Sequence, residues 1–209
     1  GNFINDLKQD NKGEIHIQLP SSNLDIDKTI KFANYISELP KDKMTIGMKI
    51  PPYVQILQNV DELNDIVLTN VTGISDHATA MKCISYGVNY VSIIPGRMEE
   101  VGIPAKELMT YLFQANHGNT EVISGSMRTL EQLEYTYQLN TVPTIGERVW
   151  PLIFEGNNLE NLLNINYEVK FESSELSPLI TEKSRELSSD FFVQMDELGK
   201  TANKELNNL

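Results

Sequence analysis

The chain has 209 residues, of which 40% are hydrophobic and 22% charged, a composition typical of one globular domain with a substantial core. Its formal net charge of −12 and its pI of about 4.7 argue against non-specific binding to nucleic acid or to an anionic membrane. The sequence has no apolar run long enough to span a bilayer, no signal-peptide pattern and a single cysteine, Cys83, so we expect a cytoplasmic protein without disulfides.

Six segments of the chain are short, apolar or alternating, and are therefore predicted to be strands. They are residues 14–19, 44–50, 65–72, 90–94, 122–126 and 141–145. Amphipathic segments separate them, and the residues predicted to cap helices are Asn23 or Asp25, Ser75 or Asp76, and Thr129 with Gln132 as a capping box. Residues 1–13 resemble the end of a helix, and residues 54–63 a short, poorly defined one.

Strand and helix alternate six times with short connections, and no hairpin signal joins two strands. This alternation predicts an α/β fold with a parallel sheet. Because polar residues cluster near the carboxyl ends of the strands, we predict a (β/α)8 TIM-barrel type of fold, with six β/α units visible in residues 14–155. A doubly wound open sheet is the alternative, but no glycine-rich phosphate turn follows any strand.

Residues 156–209 are predicted to be a polar, asparagine-rich connector followed by a C-terminal helix from about residue 178, within the same single domain of residues 1–209. The apolar stripe of that helix consists of Ile180, Leu187, Phe191 and Leu198. Such a stripe requires a partner surface, which is either the barrel wall or a neighbouring subunit. We therefore expect a homo-oligomer.

Lys49 lies near the end of the apolar strand 44–50, on the face that carries Thr45 and Gly47. A lysine among apolar residues is desolvated, which lowers its pKa and leaves part of the amine neutral for attack on a carbonyl carbon. The alternative is a lysine whose long side chain reaches solvent from the end of the strand. The other strands favour the chemical role, because their ends also carry polar groups.

The strand ends and the loops that follow them supply amides, hydroxyls and guanidinium groups beside that amine. These residues are Gln18, Lys49, Asn70, Thr72, Ser92, Arg97, Ser126 and Arg128. An amine ringed by such groups suits a phosphorylated carbonyl compound, which forms a Schiff base with the lysine while arginines hold its phosphate. The phosphate site of barrels commonly lies beyond the late strands, where the two arginines fall.

Four of these segments resemble those of the transaldolases and fructose-6-phosphate aldolases, which are class I (Schiff-base) enzymes on a (β/α)8 barrel. The matching segments are Met48-Lys49-Ile50-Pro51, Thr69-Asn70-Val71-Thr72, Tyr90 to Arg97, and Ser124-Gly125-Ser126-Met127-Arg128. Their order and strand spacing match those of the family over roughly residues 14–150. Gln18 falls where transaldolases carry a glutamate and the aldolases a glutamine.

The resemblance implies transfer or cleavage of a dihydroxyacetone unit of a sugar phosphate, within carbohydrate metabolism and the pentose phosphate pathway. It makes Lys49 the Schiff-base lysine, lets Asn70 and Thr72 position substrate and catalytic water, and assigns phosphate binding to Arg97, Ser126 and Arg128. Ser92 matches a substrate-contacting serine. A Schiff-base mechanism needs no metal or other cofactor, and no group of ligand residues has metal-ligand spacing.

The chain also departs from the family pattern. The family's first two strands, which supply an aspartate and an asparagine to the site, are not found, and the chain enters at the third strand. Ile94 stands where the aldolases place a tyrosine and transaldolases a phenylalanine. Because Gln18 and Ile94 occupy these positions, the chain lacks both the glutamate of the transaldolases and the tyrosine of the aldolases, which are the usual proton-transfer groups of the two kinds of enzyme. The alternative function is therefore a homologue that binds a phosphometabolite or a protein partner without turnover.

Simpler roles remain open for several residues. Arg97 in a loop is compatible with a surface ion pair, and Ser126 and Arg128 with a place beside the capping box of the next helix. Gln18 is compatible with an ordinary filler of the barrel interior. His16 shares the strand face of Gln18, so it is either a replacement for the missing acid or base or a hydrogen-bonded core histidine.

Overall fold

Six parallel strands form a single sheet in the computed structural model, and they follow one another in chain order across it. The structure describes residues 13–20, 25–39, 44–115, 118–165 and 178–206. The strands are β1 (Gly13–Gln18), β2 (Met44–Ile50), β3 (Leu68–Ile74), β4 (Tyr90–Ile93), β5 (Glu121–Ser124) and β6 (Val142–Pro143). All five neighbouring pairs are parallel, as the alternation of strands and helices predicts.

Helices connect the strands and continue after the last of them. Within the described residues they are α1 (Ile26–Ser37), α2 (Val54–Leu57), α3 (Val60–Asn64), α4 (His77–Ser85), α5 (Pro95–Glu100), α6 (Ala105–Gln114), α7 (Leu130–Gln138), α8 (Trp150–Ile153), α9 (Asn158–Leu163) and α10 (Pro178–Leu206). No helix among these residues is both long and apolar enough to cross a membrane.

The sheet is strongly curled. In a flat sheet, β1 and β4 would lie about 14 Å apart, because neighbouring strands are spaced by about 4.8 Å. Yet the rings of His16 on β1 and Tyr90 on β4 are only 4.9 Å apart, and the Tyr90 hydroxyl donates to Glu14 at 2.7 Å. The six strands therefore form a curled half-barrel, consistent with part of a TIM barrel. The sequential strand order disfavours the doubly wound alternative, in which that order reverses.

The hydrophobic core lies between the convex face of the sheet and the helices. Strand β2 illustrates the division, because Ile46, Met48 and Ile50 are buried against that core. Lys49 lies between two of them in sequence and faces the opposite, concave side. Alternation along the strands thus separates an apolar packing face from a polar concave face.

The local signals at several helix ends are confirmed. The Asp25 side chain caps α1 by accepting from the backbone N–H of Lys28, and Asp76 caps α4 in the same way through Thr79. Thr129 and Gln132 form the predicted capping box at the start of α7. The alternative cap Asn23 lies outside the described residues.

Several predicted boundaries are wrong. The third strand begins at Leu68 rather than residue 65, because Asp65 ends α3 in a turn. That strand also continues through Gly73, which adopts a φ of 75° beside a register shift. The predicted fifth strand ends early because Ser126 adopts a φ of 55°. The helix predicted over residues 54–63 is two short helices, α2 and α3.

The C-terminal helix α10 packs against the carboxyl end of β3. Buried serines join the two, since Ser75 donates to the Ser184 carbonyl oxygen at 2.9 Å and Ser184 donates back to that of Ser75 at 2.9 Å. Phe191 and Phe192, which are 7% and 5% exposed, belong to the main core. The predicted apolar stripe therefore packs at least in part against the sheet of its own chain.

Gly73 tests this contact between α10 and β3. A Cβ atom at this position would lie 2.9 Å from both Phe191 and Phe192, in a backbone conformation that L-residues rarely adopt. We expect Gly73→Ala to lower the free energy of unfolding by about 2–4 kcal/mol, as the sum of backbone strain and overpacking. Chemical denaturation followed by circular dichroism measures it.

Gly87→Ala is the matched control, because Gly87 has a similar φ of 78° but open space around the added Cβ. We expect this change to cost only the strain of the left-handed backbone, about 1–2 kcal/mol. If the two substitutions were equally destabilising, the two phenylalanines of α10 would not pack on β3 as described.

Candidate functional site

A cleft of about 490 Å³ opens on the concave face of the sheet, and all six strands or the residues that follow them line it. Its lining residues are Glu14, His16, Lys49, Asn70, Tyr90, Glu121, Ile123, Val142 and Thr144. Strand register explains this convergence, because Lys49 pairs with Asn70 and Asn70 pairs with Tyr90. The curl of the sheet then brings the amino-terminal parts of β1 and β4 together in the same cleft.

The amine of Lys49 is half-buried in this cleft. Burial lowers its pKa, because the charged ammonium loses hydration that the surrounding protein does not replace. Within the described part of the chain, no carboxylate lies within ion-pair distance of the amine to counter that effect. A larger fraction of the amine is consequently neutral at a given pH than in a free lysine, and a neutral amine is the nucleophile that imine formation requires.

Asn70 and Ser92 form a buried hydrogen-bonded pair beside Lys49. Asn70 is 1% exposed and Ser92 3% exposed, and the Ser92 hydroxyl donates to Asn70 Oδ1 at 2.7 Å. The other end of the Asn70 amide lies 2.7 Å from Nδ1 of His16. Thr72 is also buried, two residues further along β3.

Gln18 pairs in register with Lys49 at the end of β1. Its side-chain amide lies 3.4 Å from the backbone carbonyl oxygen of Lys49, which is a long contact for a hydrogen bond. A neutral amide so placed neither pairs with the lysine ammonium nor supplies a carboxylate. The contact between Gln18 and Lys49 is therefore a contact with the backbone of the lysine.

Of the three residues predicted to bind phosphate, Arg97 lies in α5 rather than in a loop, whereas Ser126 and Arg128 lie in the loop after β5. None of the three lines the cleft. Gly96 approaches the backbone carbonyl oxygen of Ser126 so closely that a Cβ on Gly96 would overlap it. This close approach brings the Arg97 segment and the segment of Ser126 and Arg128 together. Glycine is required at position 96 for that packing.

The two arginines differ in how they are already bound. Arg128 donates to Glu100 at 2.9 Å and to the Ser126 carbonyl oxygen at 2.8 Å, so its charge is paired. Arg97 donates to the side-chain oxygen of Gln194 on α10 at 2.7 Å, and its guanidinium lies 5.1 Å from the ring centre of Phe191. No carboxylate pairs with Arg97 in the described residues, and its buried Nε has no hydrogen-bond partner there.

Six of the nine lining residues were not identified from the sequence as site residues, and three of the six are titratable, namely Glu14, Tyr90 and Glu121. The signal for the first two was present in the alternation of the strands, since Glu14 shares a face with Gln18, and Tyr90 with Ser92. Burial, followed by contact with Glu14, raises the pKa of the Tyr90 hydroxyl, so this group remains a proton donor over the neutral range. Cys83 lies apart from the cleft, and burial raises the pKa of its thiol to about 12.

Residues 2–202 match a known protein family, described as Transaldolase/Fructose-6-phosphate aldolase. The chain belongs to the transaldolase/fructose-6-phosphate aldolase family. The resemblance predicted from Lys49 and the three later motifs is thereby confirmed at the level of the family.

Matches between this transaldolase-family chain and individual relatives cover less of the chain than the match to the family does. A probable transaldolase from Clostridium botulinum strain Hall is 30% identical over 132 residues, which are 61% of this chain and 59% of that protein. One from Clostridium perfringens strain SM101 is 36% identical over 95 residues, or 44% of each chain. The chain thus spans less than two thirds of the length of these relatives.

Solved structures share only a partial likeness with the chain. A mandelate oxidase variant aligns with a TM-score of 0.47 and 14% identity, covering 72% of this chain and 55% of that one. A second mandelate oxidase structure aligns with a TM-score of 0.48 and 15% identity, covering 83% and 58%. These values are too low to carry an argument about the function of the chain.

Proposed function

We propose that this transaldolase-family protein acts on sugar phosphates and cleaves or transfers a dihydroxyacetone unit through a Schiff base on Lys49. The observation that carries the proposal is the half-buried amine of Lys49, whose pKa burial lowers, in a cleft that it shares with Asn70. Family membership supports a phosphorylated sugar as the substrate.

The reaction begins when the neutral amine of Lys49 adds to the ketone carbon of the sugar. Loss of water from the resulting carbinolamine forms a protonated imine, which withdraws electrons from the bond between the α and β carbons and so activates the β-hydroxyl carbon for release as an aldehyde. That bond breaks as a proton leaves the neighbouring hydroxyl, which releases an aldehyde and leaves an enamine on Lys49. Hydrolysis returns free dihydroxyacetone, whereas addition to another aldehyde completes a transfer.

The polar residues near Lys49 are assigned to binding and orientation. Asn70 and Thr72 would position the substrate and a catalytic water, with Gln18 at the end of the neighbouring strand, and Ser92 would contact the substrate. Arg97, Ser126 and Arg128 would hold the phosphate. Arg97 is the stronger candidate of the two arginines, because Glu100 already pairs with Arg128.

A second candidate function is binding of a phosphometabolite without turnover. It is favoured by Ile94, which is 3% exposed within the core and carries no group that could transfer a proton. Gln18 likewise supplies an amide rather than a carboxylate. A steady-state assay that detects turnover of a ketose phosphate by this chain would exclude this candidate.

Trapping with borohydride tests the Schiff base. We expect reduction in the presence of fructose 6-phosphate to add the mass of the reduced sugar adduct to the peptide that contains Lys49, because borohydride converts the imine into a stable secondary amine. Lys49→Met should abolish the added mass, and Lys82→Met should not, because Lys82 is an exposed residue of α4. An adduct that persists in Lys49→Met, or that maps to another lysine, would contradict the proposal.

Substitution of Arg97 tests the phosphate assignment. We expect Arg97→Ala to raise the KM for fructose 6-phosphate by roughly tenfold to a hundredfold, because one or two charge-assisted hydrogen bonds are lost. The KM for unphosphorylated fructose or dihydroxyacetone should change much less. Arg185→Ala on the exposed side of α10 is the control and should leave both values unchanged. Equal effects of Arg97→Ala on both substrate classes would reject the assignment.

A further inference from the structure

A chain of hydrogen bonds runs along the concave face from β1 to β4. Glu14 Oε2 lies 3.2 Å from His16 Nε2, and His16 Nδ1 lies 2.7 Å from the Asn70 amide nitrogen. Asn70 Oδ1 then accepts from the Ser92 hydroxyl at 2.7 Å. Three of the four residues line the cleft that contains Lys49, and none of the four bonds with the lysine amine itself.

The Asn70 amide is placed with its oxygen toward Ser92 and its nitrogen toward His16, and this placement gives each hydrogen bond of the chain a direction. An amide nitrogen only donates, so a contact between the Asn70 amide nitrogen and His16 requires an unprotonated Nδ1 as the acceptor. The imidazole proton then resides on Nε2 and is donated to Glu14, which also accepts from the Tyr90 hydroxyl at 2.7 Å. The orientation of Asn70 therefore depends on His16 Nδ1 as an acceptor.

The imidazole ring itself is held firmly. It packs edge-on against the Tyr90 ring at 4.9 Å and is only 13% exposed. It also covers Gly47, where a Cβ atom would lie 2.7 Å from the ring. Because Gly47 precedes Lys49 by two residues on the same strand face, the ring lies directly beside the lysine position. An acceptor held in a fixed position favours one of the two orientations of the Asn70 amide, which differ by exchange of its nitrogen and oxygen.

The Asn70 amide nitrogen carries two hydrogens, and His16 accepts only one of them. Among the described residues, the second has no acceptor, although Asn70 is 1% exposed. A buried donor left without a partner is costly, so this hydrogen is available for an oxygen atom of a ligand in the cleft.

We infer that His16 is a positioning residue, which orients the Asn70 amide so that its remaining N–H donates to an oxygen of the sugar bound at Lys49. This role rests on the proposed Schiff-base function and adds to it a residue outside the four family-matching segments. Glu14 completes the arrangement by keeping the proton on Nε2, so that Nδ1 stays an acceptor.

Two substitutions of His16 separate this role from simple packing. His16→Phe retains a ring against Tyr90 and Gly47 but loses the acceptor, whereas His16→Asn loses the ring but places an amide oxygen near the position of Nδ1. If His16 orients Asn70, Asn is the better replacement. If the ring only fills space, Phe is the better replacement. The two explanations therefore predict opposite rankings.

The measurement is the rate of borohydride-trapped adduct formation at saturating fructose 6-phosphate. We expect His16→Phe to slow trapping by roughly tenfold or more, because a misdirected donor no longer assists the reacting group, and His16→Asn to stay within about threefold of the unmodified protein. His77→Phe is the control and should leave the rate unchanged. His77 lies at the start of α4, packs its ring against that of Tyr111 and does not line the cleft.

A double-mutant cycle covers the case in which His16→Phe folds poorly. Asn70→Asp keeps an oxygen for Ser92 but cannot donate to His16, so it should slow trapping as much as His16→Phe does. His16→Leu also removes the acceptor and should by itself slow trapping by roughly tenfold. Added to Asn70→Asp, it should produce no further loss, because the bond that His16 serves is already absent.

The outcomes of these measurements are distinct. A rate for His16→Phe equal to or above that of His16→Asn, or strict additivity with Asn70→Asp, would overturn the role of His16 and leave the Schiff base intact. Absence of any trapped adduct in the unmodified protein would overturn the proposed function, and the role of His16 with it.

Discussion

The curl of the parallel sheet is the constraint on which the rest of the structure depends. It brings side chains of β1 and β4 into contact although two strands lie between them. The concave surface that results carries every second residue of the strands, while the residues between them pack under the helices. The residues that share the cleft with Lys49 come from other strands, because its immediate neighbours Met48 and Ile50 face the hydrophobic core.

The electrostatics of the cleft follow from the same arrangement. The chain is strongly acidic, with a net charge of −12, and two glutamates line the cleft. Glu14 is nevertheless already bound by Tyr90 and His16, and no carboxylate pairs with Lys49 within the described residues. An ion pair would have favoured the charged ammonium and raised the pKa of the lysine. Desolvation instead dominates and lowers that pKa.

Helix α10 determines the surroundings of the proposed phosphate site. It contacts the carboxyl end of β3 through buried serines and two phenylalanines, and it reaches Arg97 through Gln194. A phosphate that binds Arg97 would either displace the Gln194 oxygen from the guanidinium or bind to the N–H groups of the guanidinium that Gln194 leaves free. The same helix therefore packs against the curled sheet and contacts an arginine of the proposed phosphate site.

Short-range patterns predicted much of this structure from the sequence. The cap of α1 at Asp25 and the capping box of α7 depend on residues within one helical turn, and the six strands depend on local alternation. The end of β3 was predicted incorrectly, because its course past Gly73 involves phenylalanines of α10 far along the chain. The contact of His16 with Asn70, across 54 positions of sequence, required the register and curl of the sheet.

The reactivity of the Lys49 amine as a function of pH tests the central claim most directly. Pulse labelling with an amine-specific reagent, read by peptide mass spectrometry and normalised to each site's own plateau, reports where each lysine loses its proton. Lys200 provides an internal reference, because its hydrogen bond with Glu197 raises its pKa. We predict that Lys49 reaches half-maximal reactivity at a pH below that of a free lysine and well below that of Lys200. A half-maximum for Lys49 at or above the free-lysine value would contradict the account, because the amine would then be hydrated or paired with a negative charge.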